Sequence, residues 1–509
     1  MRPLLLIVVL WTASAASGAE LREAWRTALD RITANSLRAH VSFLASDALR
    51  GRDTPSPGLD AAAAYIASWF RRAELEPGGD DGYFQTAEWV RRTQNRDGME
   101  LAVATGSRIV RAAPAHLAAR VAEPLVLSEE PATVATLEKA ANLAPSEVDG
   151  RVVAVLIPAM EGLDDGERRG IHGAFSRFAR MMENREPSLV LYADPGGAFL
   201  RRIAQPRLID PENATIAGAP AMVVMDPAVD SALREAGAGL RVSARCGGPV
   251  DEETSLHNVV AILRGSDPEL RETAVLLTAH YDHVGVGAPD EPDHIFNGAN
   301  DDASGTASVL EIASALAAME DRPRRSVVFM AYFGEEKGLL GSKYYARRPV
   351  FPLERTVANV NLEQVGRTDS SEGPQLKNAS VTGMDYSEVG SLLREAGAAT
   401  GIEVFQHASN SDPYFRAADN ISLAVRGVPA HTVSTTYHFP DYHGAGDHWD
   451  KIDYENMAAV TRMIAAGVLL IAEREQAPRW AEDNEKAKAF REAWDELMER
   501  SKAMGAGGK

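Results

Sequence analysis

The chain has 509 residues, 45% of them hydrophobic and 25% charged, with 41 Gly and 27 Pro, a globular composition that argues against a disordered, collagenous or repeat-built chain. Lys and Arg total 53 against 72 Asp and Glu, giving a formal net charge of −19, a surface that repels phosphate backbones and speaks against nucleic-acid binding. Cys246 is the one cysteine, so a disulfide framework and a thiolate metal cluster are excluded, and any metal must be held by His and carboxylates.

Met1-Arg2 precede an apolar run from Leu4 to Trp11 and small residues from Ala13 to Ala19, the layout of a secretory signal peptide over 1–19. That run is too short for a permanent membrane span, as is the apolar stretch Val460–Ala472, which contains Arg462. The expectation is an exported protein, periplasmic or extracellular, without a permanent span. Helical spacing covers Leu21–Leu49 and then Leu59–Phe70, with Leu59, Ala62, Ala63, Ile66 and Phe70 on one face; Arg50–Gly58 breaks the two. These belong to a first catalytic-domain segment, 20–97. From 98 to 250 the apolar runs are short and β-like (Leu125–Leu127, Val152–Ile157, Leu189–Tyr192, Met222–Met225), which predicts a smaller, strand-rich inserted module. From 251 to 475, apolar strands at Val259–Leu263, Ala274–Thr278, Val327–Phe333, Val357–Leu362 and Ile421–Val425 alternate with helical patterns such as Ser304–Met319. That pattern predicts an α/β body on a largely parallel sheet covered on both faces. The remainder, 476–509, is a charged surface helix and tail with Phe490, Trp494, Leu497 and Met498 at helical spacing.

Nine of the 12 histidines follow residue 250. The strand from Ala274 runs into His280-Tyr281-Asp282-His283, and in open parallel sheets ligands gather outside the carboxyl ends of strands. Asn300-Asp301-Asp302-Ala303-Ser304 then leads into a helix. Capping accounts for Asp302 and Ser304, but not for an Asp pair between two glycine-containing turns. The next strand ends in Gly334-Glu335-Glu336, two adjacent carboxylates that need a reason to stay ionised. A dication supplies one, and a Glu beside it can take a proton from the water it activates. Glu363 ends the following strand, and His443 lies in the Gly-rich loop Tyr442–His448. His280, Asp301, Glu336, Glu363 and His443 are thus a set of hard oxygen and imidazole donors, suited to catalytic Zn²⁺ or to Mn²⁺ or Co²⁺. With Asp301 shared, two ions each receive three protein contacts and keep room for water.

The segments His40–Asp47, His280–His283, Gly298–Gly305, Gly334–Ser342 and Asp441–Asp453, in this order, resemble the secreted co-catalytic di-zinc aminopeptidases of the clan MH zinc exopeptidases. The resemblance implies a mixed, mostly parallel sheet flanked by helices, with a β-rich protease-associated-like domain at 98–250. It implies two Zn²⁺, one on His280 and Glu363, the other on Glu336 and His443, bridged by Asp301. Glu335 would be the general base, Asp282 would orient the His280 ring, and Tyr442 would stabilise the tetrahedral intermediate. The expected substrate is the N-terminus of a peptide or protein. The chain departs from the family in having Glu363 where Asp is usual, His448 where Thr is usual and Asn410 where Arg is common. A carboxypeptidase, a dipeptidase or a glutaminyl-cyclase-like enzyme fits the same scaffold. A binding protein with a decayed metal site is the alternative of another class.

Overall fold

The computed structural model describes residues 21–160, 162–182, 184–197, 205–213, 218–237, 239–287 and 292–506. The expected signal segment, 1–19, lies outside them. The chain divides into two compact units, one of residues 1–87 and 256–509 and the other Glu88–Ser255.

In the first unit, local chemistry sets the helix starts. Helix α1 is Glu23–Leu29. Helix α2, Ala34–Leu44, opens on a capping box in which the Thr33 side chain accepts from Ser36 N and the Ser36 hydroxyl accepts from Thr33 N. Helix α3, Pro57–Arg72, has Ser56 as its cap, a proline in its first turn, and buries the face Leu59, Ala62, Ala63, Ile66 and Phe70. The spacing over Leu21–Leu49 is therefore two helices and a 3-10 turn, Asp47–Arg52, with the cap at Thr33 making the break.

The unit's sheet contains β1 (Pro249–Leu263), β2 (Ala274–His280), β3 (Ser326–Tyr332), β4 (Thr356–Leu362), β5 (Asn378–Val381), β6 (Glu403–Phe405) and β7 (Ala430–Ser434), in the order β6-β5-β7-β4-β2-β3-β1. Strands β3, β2, β4 and β7 are mutually parallel, while β1 joins β3 and β5 joins β7 antiparallel, a mixed sheet with a parallel centre. Every residue of β2, β3 and β4 is buried, as strands covered on both faces require. Helix α4, Ser304–Ala317, crosses from β2 to β3 and is buried over nearly its whole length.

Two expectations change here. Ile421–Val425 falls in a short helix, Asn420–Ala424, and the strand comes after the Gly427–Pro429 break, as β7. An apolar run of five residues has no period long enough to tell the two apart. The apolar stretch at 460–472 belongs to a longer helix, α5 (Tyr454–Glu473), whose 20 residues are long and apolar enough to cross a membrane; 78% of its apolar window is buried within the protein, and it serves as a core helix. In the C-terminal segment, Phe490 joins Trp480, Phe415 and Leu423 in a hydrophobic cluster, with Trp494 and Leu497 packed against it.

The unit Glu88–Ser255 holds a mixed eight-stranded sheet. Its parallel centre comprises Leu125–Thr136, Val152–Leu156, Leu189–Ala193 and Ala221–Val224, with antiparallel neighbours on either side. It also contains an 18-residue helix, Asp165–Met182, in a region whose apolar runs predict strands. Ala174, Phe175, Phe178 and Met182, spaced as one helical face, pack into a cluster with Val153, Val155 and Tyr192.

Candidate metal centre

Each expected donor stands at the end of a buried element of the first unit. His280 is the last residue of β2, Glu335 and Glu336 follow β3, Glu363 follows β4, Asp301 precedes α4, and His443 lies in the loop after β7. Because β2, β3 and β4 run parallel, their carboxyl ends bring side chains far apart in sequence to one edge.

Two groups of donors form there and share one residue. His280, Asp301 and Glu363 make one; His283, Asp301, Glu336 and His443 make the other, and within each group the donor atoms lie within 4.8 Å of one another. Asp301 faces both: Oδ1 lies 3.3 Å from His280 Nε2, and Oδ2 lies 3.2 Å from His443 Nε2. His443 Nε2 is also 3.2 Å from Glu336 Oε2, and His283 Nδ1 is 2.9 Å from Glu336 Oε1.

The chemistry of these atoms fits a bound cation. Both ring nitrogens of His280 and of His283, with Glu336 Oε1 and Glu363 Oε2, are buried and make no hydrogen bond of normal geometry despite their closeness. The charge balance agrees. Asp282, Asp301, Asp302 and Asp447 act on the buried Arg52, Arg367 lies 3.9 Å from Asp447, and Glu335, Glu336, Glu363 and Asp419 add four more carboxyl groups. Burial, with Glu363, Asp419 and Glu336 nearby, pushes the Glu335 carboxyl well up. Burial, with Asp301 and Asp302, does the same to Glu363. Burial opposes charge on His443, yet Asp301 and Glu336 raise it to about 10. Such an excess of carboxylates either collects protons or collects metal.

Asp282 lies beside the His280 ring and also touches the Glu335 turn. Its Oδ1 is 3.6 Å from His280 Nδ1 and accepts from Glu335 N at 3.0 Å; Oδ2 accepts from the Thr54 hydroxyl at 3.2 Å. Asp282 therefore holds the backbone of the Glu335 turn. Tyr442 stacks on the His443 ring, with centroids 4.1 Å apart, and is half-exposed. His448, a departure from the family, pairs at the surface with Asp293 at 3.0 Å, and the neighbouring loop's His438 Nε2 lies 3.3 Å from the Tyr414 hydroxyl.

Three supporting residues, His283, Asp447 and Arg52, carry little sequence signal, and a fourth, Asp302, is readable in the sequence as a helix cap. His283, in the second group, sits against Gly298, which has φ +61° and where a Cβ would lie 2.5 Å from the His283 ring. Asp302 accepts from Gly305 N and Gln364 N, both at 3.0 Å, so it caps α4 and ties it to the end of β4. Asp447 accepts from Asn300 N and Asp301 N, fixing the backbone that carries the shared carboxylate. Arg52 is wholly buried and donates to the carbonyls of Tyr281, Asn297, Gly298 and Leu44. Burial lowers it to about 10, against Asp282, Asp447, Asp301 and Asp302. The signal that marks Arg52 is its position after Gly51, in a turn where Arg50, Gly51 and Arg52 all take positive φ.

Residues 258–468 match the profile of Peptidase family M28. The aminopeptidase YwaD of Bacillus subtilis is 29% identical over 221 residues, 42% of this chain and 45% of that protein. A probable zinc metalloprotease of Leptosphaeria maculans is 36% identical over 118 residues, 23% of this chain and 26% of that protein. The chain thus spans less than half the length of these curated relatives. In fold it is similar to an aminopeptidase from Aneurinibacillus sp. strain AM-1, with a TM-score of 0.56 at 18% identity over 90% of this chain and 97% of that one. It is likewise similar to a zinc aminopeptidase of Bacillus subtilis, with a TM-score of 0.53 at 19% identity over 88% of this chain and 97% of that one. The match to Peptidase family M28 covers the part of the chain in which the candidate donors lie.

Proposed function

We propose that this protein is an exported metallo-exopeptidase that hydrolyses the N-terminal peptide bond of peptides or proteins. The observation that carries the reading is the shared Asp301, whose two oxygens face His280 on one side and His443 on the other. In this reading His280, Asp301 and Glu363 hold one divalent cation and Asp301, Glu336 and His443 the other, with His283 beside the second. When bound, the ions supply Lewis acidity, making water a nucleophile near neutral pH and polarising a peptide carbonyl. Glu335 Oε accepts the proton that the attacking water gives up and returns it to the leaving amine. Asp282 holds the Glu335 backbone in place, and Tyr442 Oη donates toward the carbonyl oxygen as it becomes anionic. The hydrogen bonds from Arg52 and to Asp447 keep the ligand loops in register.

Zinc is supported by the oxygen and imidazole donor set and by relatives described as zinc metalloproteases. An amine-terminal substrate is supported by the aminopeptidase among those relatives. Export rests on residues 1–19, and a protease-associated-like role for the inserted unit on the resemblance alone. The test is a rate panel of free and N-blocked aminoacyl amides with and without chelator. Cleavage of free-amine substrates alone, abolished by chelation and restored by zinc, is the expected result. Equal cleavage of blocked substrates overturns the exopeptidase reading, and activity unchanged by chelation overturns the metal.

A further inference from the structure

Of the candidate donors, His443 is the one that burial fixes least. Its side chain is 37% exposed, against 1% for His280 and 0% for His283, and its backbone takes φ +51°, a left-handed conformation that a residue with a Cβ adopts at a cost. A ligand so placed has to be held by its loop. Asp447, after it in the chain, is one anchor, through the amides of Asn300 and Asp301. Asp441, before it, is another. Gly444 N donates to the Asp441 carbonyl at 2.8 Å and Lys451 Nζ to its Oδ2 at 2.9 Å, and a Cβ on Gly446 would lie 2.3 Å from its Oδ1, so the loop is wound closely round this side chain.

Arg367, shortly after Glu363 in the chain, meets Asp441 from the sheet side. Its side chain is buried, and its guanidinium is divided between two carboxylates: Nη1 donates to Asp441 Oδ2 at 3.0 Å, while Nε and Nη2 donate to Asp369 Oδ1 and Oδ2 at 2.6 and 2.5 Å. Its Cζ stands 5.1 Å from the centroid of the Phe439 ring. The amides of Arg367 and Gly366 donate to Asn300 Oδ1 at 2.8 and 2.9 Å. Arg367 therefore joins three stretches of chain that each carry a donor: its own, with Glu363, the turn of Asp301 through Asn300, and the loop of His443 through Asp441. Burial opposes the charge on the guanidinium, and Asp369, Asp441 and Asp447 more than offset it. The planar fork matters, because an ammonium is a point charge that cannot meet both aspartates in this geometry.

From this geometry we infer that Arg367 is a positioning residue for the His443 loop and that, acting through Asp441, it sets the affinity of the cation assigned to Asp301, Glu336 and His443. This rests on the pair of cations in the exopeptidase reading. The experiment is a calorimetric titration of the metal-free full chain with Zn²⁺, in which the wild type shows two binding steps and the step missing from His443→Ala marks the cation in question. Arg367→Met is expected to weaken that step about tenfold or more and to leave the other within about twofold. Asp441→Asn should weaken the same step. Asp369→Asn, which leaves the contact between Arg367 and Asp441 in place, should weaken neither, and Arg367→Lys should fall between Arg367→Met and the wild type. A marked step unmoved in both Arg367→Met and Asp441→Asn overturns the positioning role and leaves the exopeptidase reading intact. So does an equal weakening of both steps, which is what a mere loss of stability produces. A wild-type chain that takes up no zinc, or a single ion, overturns the paired-cation reading and this inference with it.

Discussion

The two units bury very different interiors. Within Glu88–Ser255, Asp194 is the one buried polar side chain among the described residues, and the two clusters there are otherwise aliphatic and aromatic. Among the described residues the other unit buries Arg52, Arg325 and Arg367, the His280 and His283 rings and seven carboxyl groups, several with no hydrogen-bond partner for their polar atoms. Both contain a mixed sheet with a parallel centre, so topology does not separate them. The polarity of what is buried does. Charge taken from water without a partner is too costly to persist unless something outside the chain meets it.

Substitutions that remove one kind of interior and leave the other test that contrast. The largest effect belongs to Glu335→Gln, which should lower kcat by about 10²–10⁴-fold while elemental analysis still finds bound metal; a variant with wild-type turnover would show that the base lies elsewhere. Next is Arg52→Met. It leaves the carbonyls of Leu44, Tyr281, Asn297 and Gly298 without their donor, and at about 1–3 kcal/mol for each orphan the loss of stability should reach about 4 kcal/mol in urea titration. Metal content should fall with it. In the other interior, Leu191→Ala, at a fully buried position, should cost about 3 kcal/mol through the cavity it leaves, with stoichiometric metal retained. Parallel loss of metal in that variant would break the contrast.

The smallest effect is a pH dependence from His431, which burial holds down at about 4, against its hydrogen bond to Thr382 and the field of Asp385. The unfolded histidine takes its proton near 6.5, so below that pH the unfolded chain binds the extra proton and stability falls. The contribution is complete above pH 6.5 and declines by roughly 2 kcal/mol by pH 5. Thermal melts at pH 7 and pH 5 should diverge less in His431→Gln than in the wild type.

The donors at strand ends were legible because each is a charged or imidazole residue placed abruptly after an apolar run: His280 after Ala274–Ala279, Glu335 and Glu336 after Val327–Phe333, Glu363 after Val357–Leu362. Chemistry and position coincide there. Their supports were not legible, because Arg52 and Asp447 act on backbone carbonyls and amides that any residue could provide, 229 residues from Tyr281 in one case and 146 from Asp301 in the other. His283 hid behind His280, three positions earlier, since spacing alone does not say which histidine turns inward. The helix Asp165–Met182 was obscured by Gly166, Gly170 and Gly173, residues that weaken a helix locally and that its apolar face against the sheet outweighs.

Asp447 also has a consequence for the order in which the molecule can be made. The amides of Asn300 and Asp301 are held by a carboxylate that leaves the ribosome 146 residues after Asp301. Until that loop docks, the backbone amides of Asn300 and Asp301 lack this acceptor and His443, four residues before Asp447, is absent from the side of the shared carboxylate. Nascent or truncated chains ending before 447 therefore carry the strand-end donors without the arrangement that joins them, and tight metal uptake becomes a late event that reports completion of the fold.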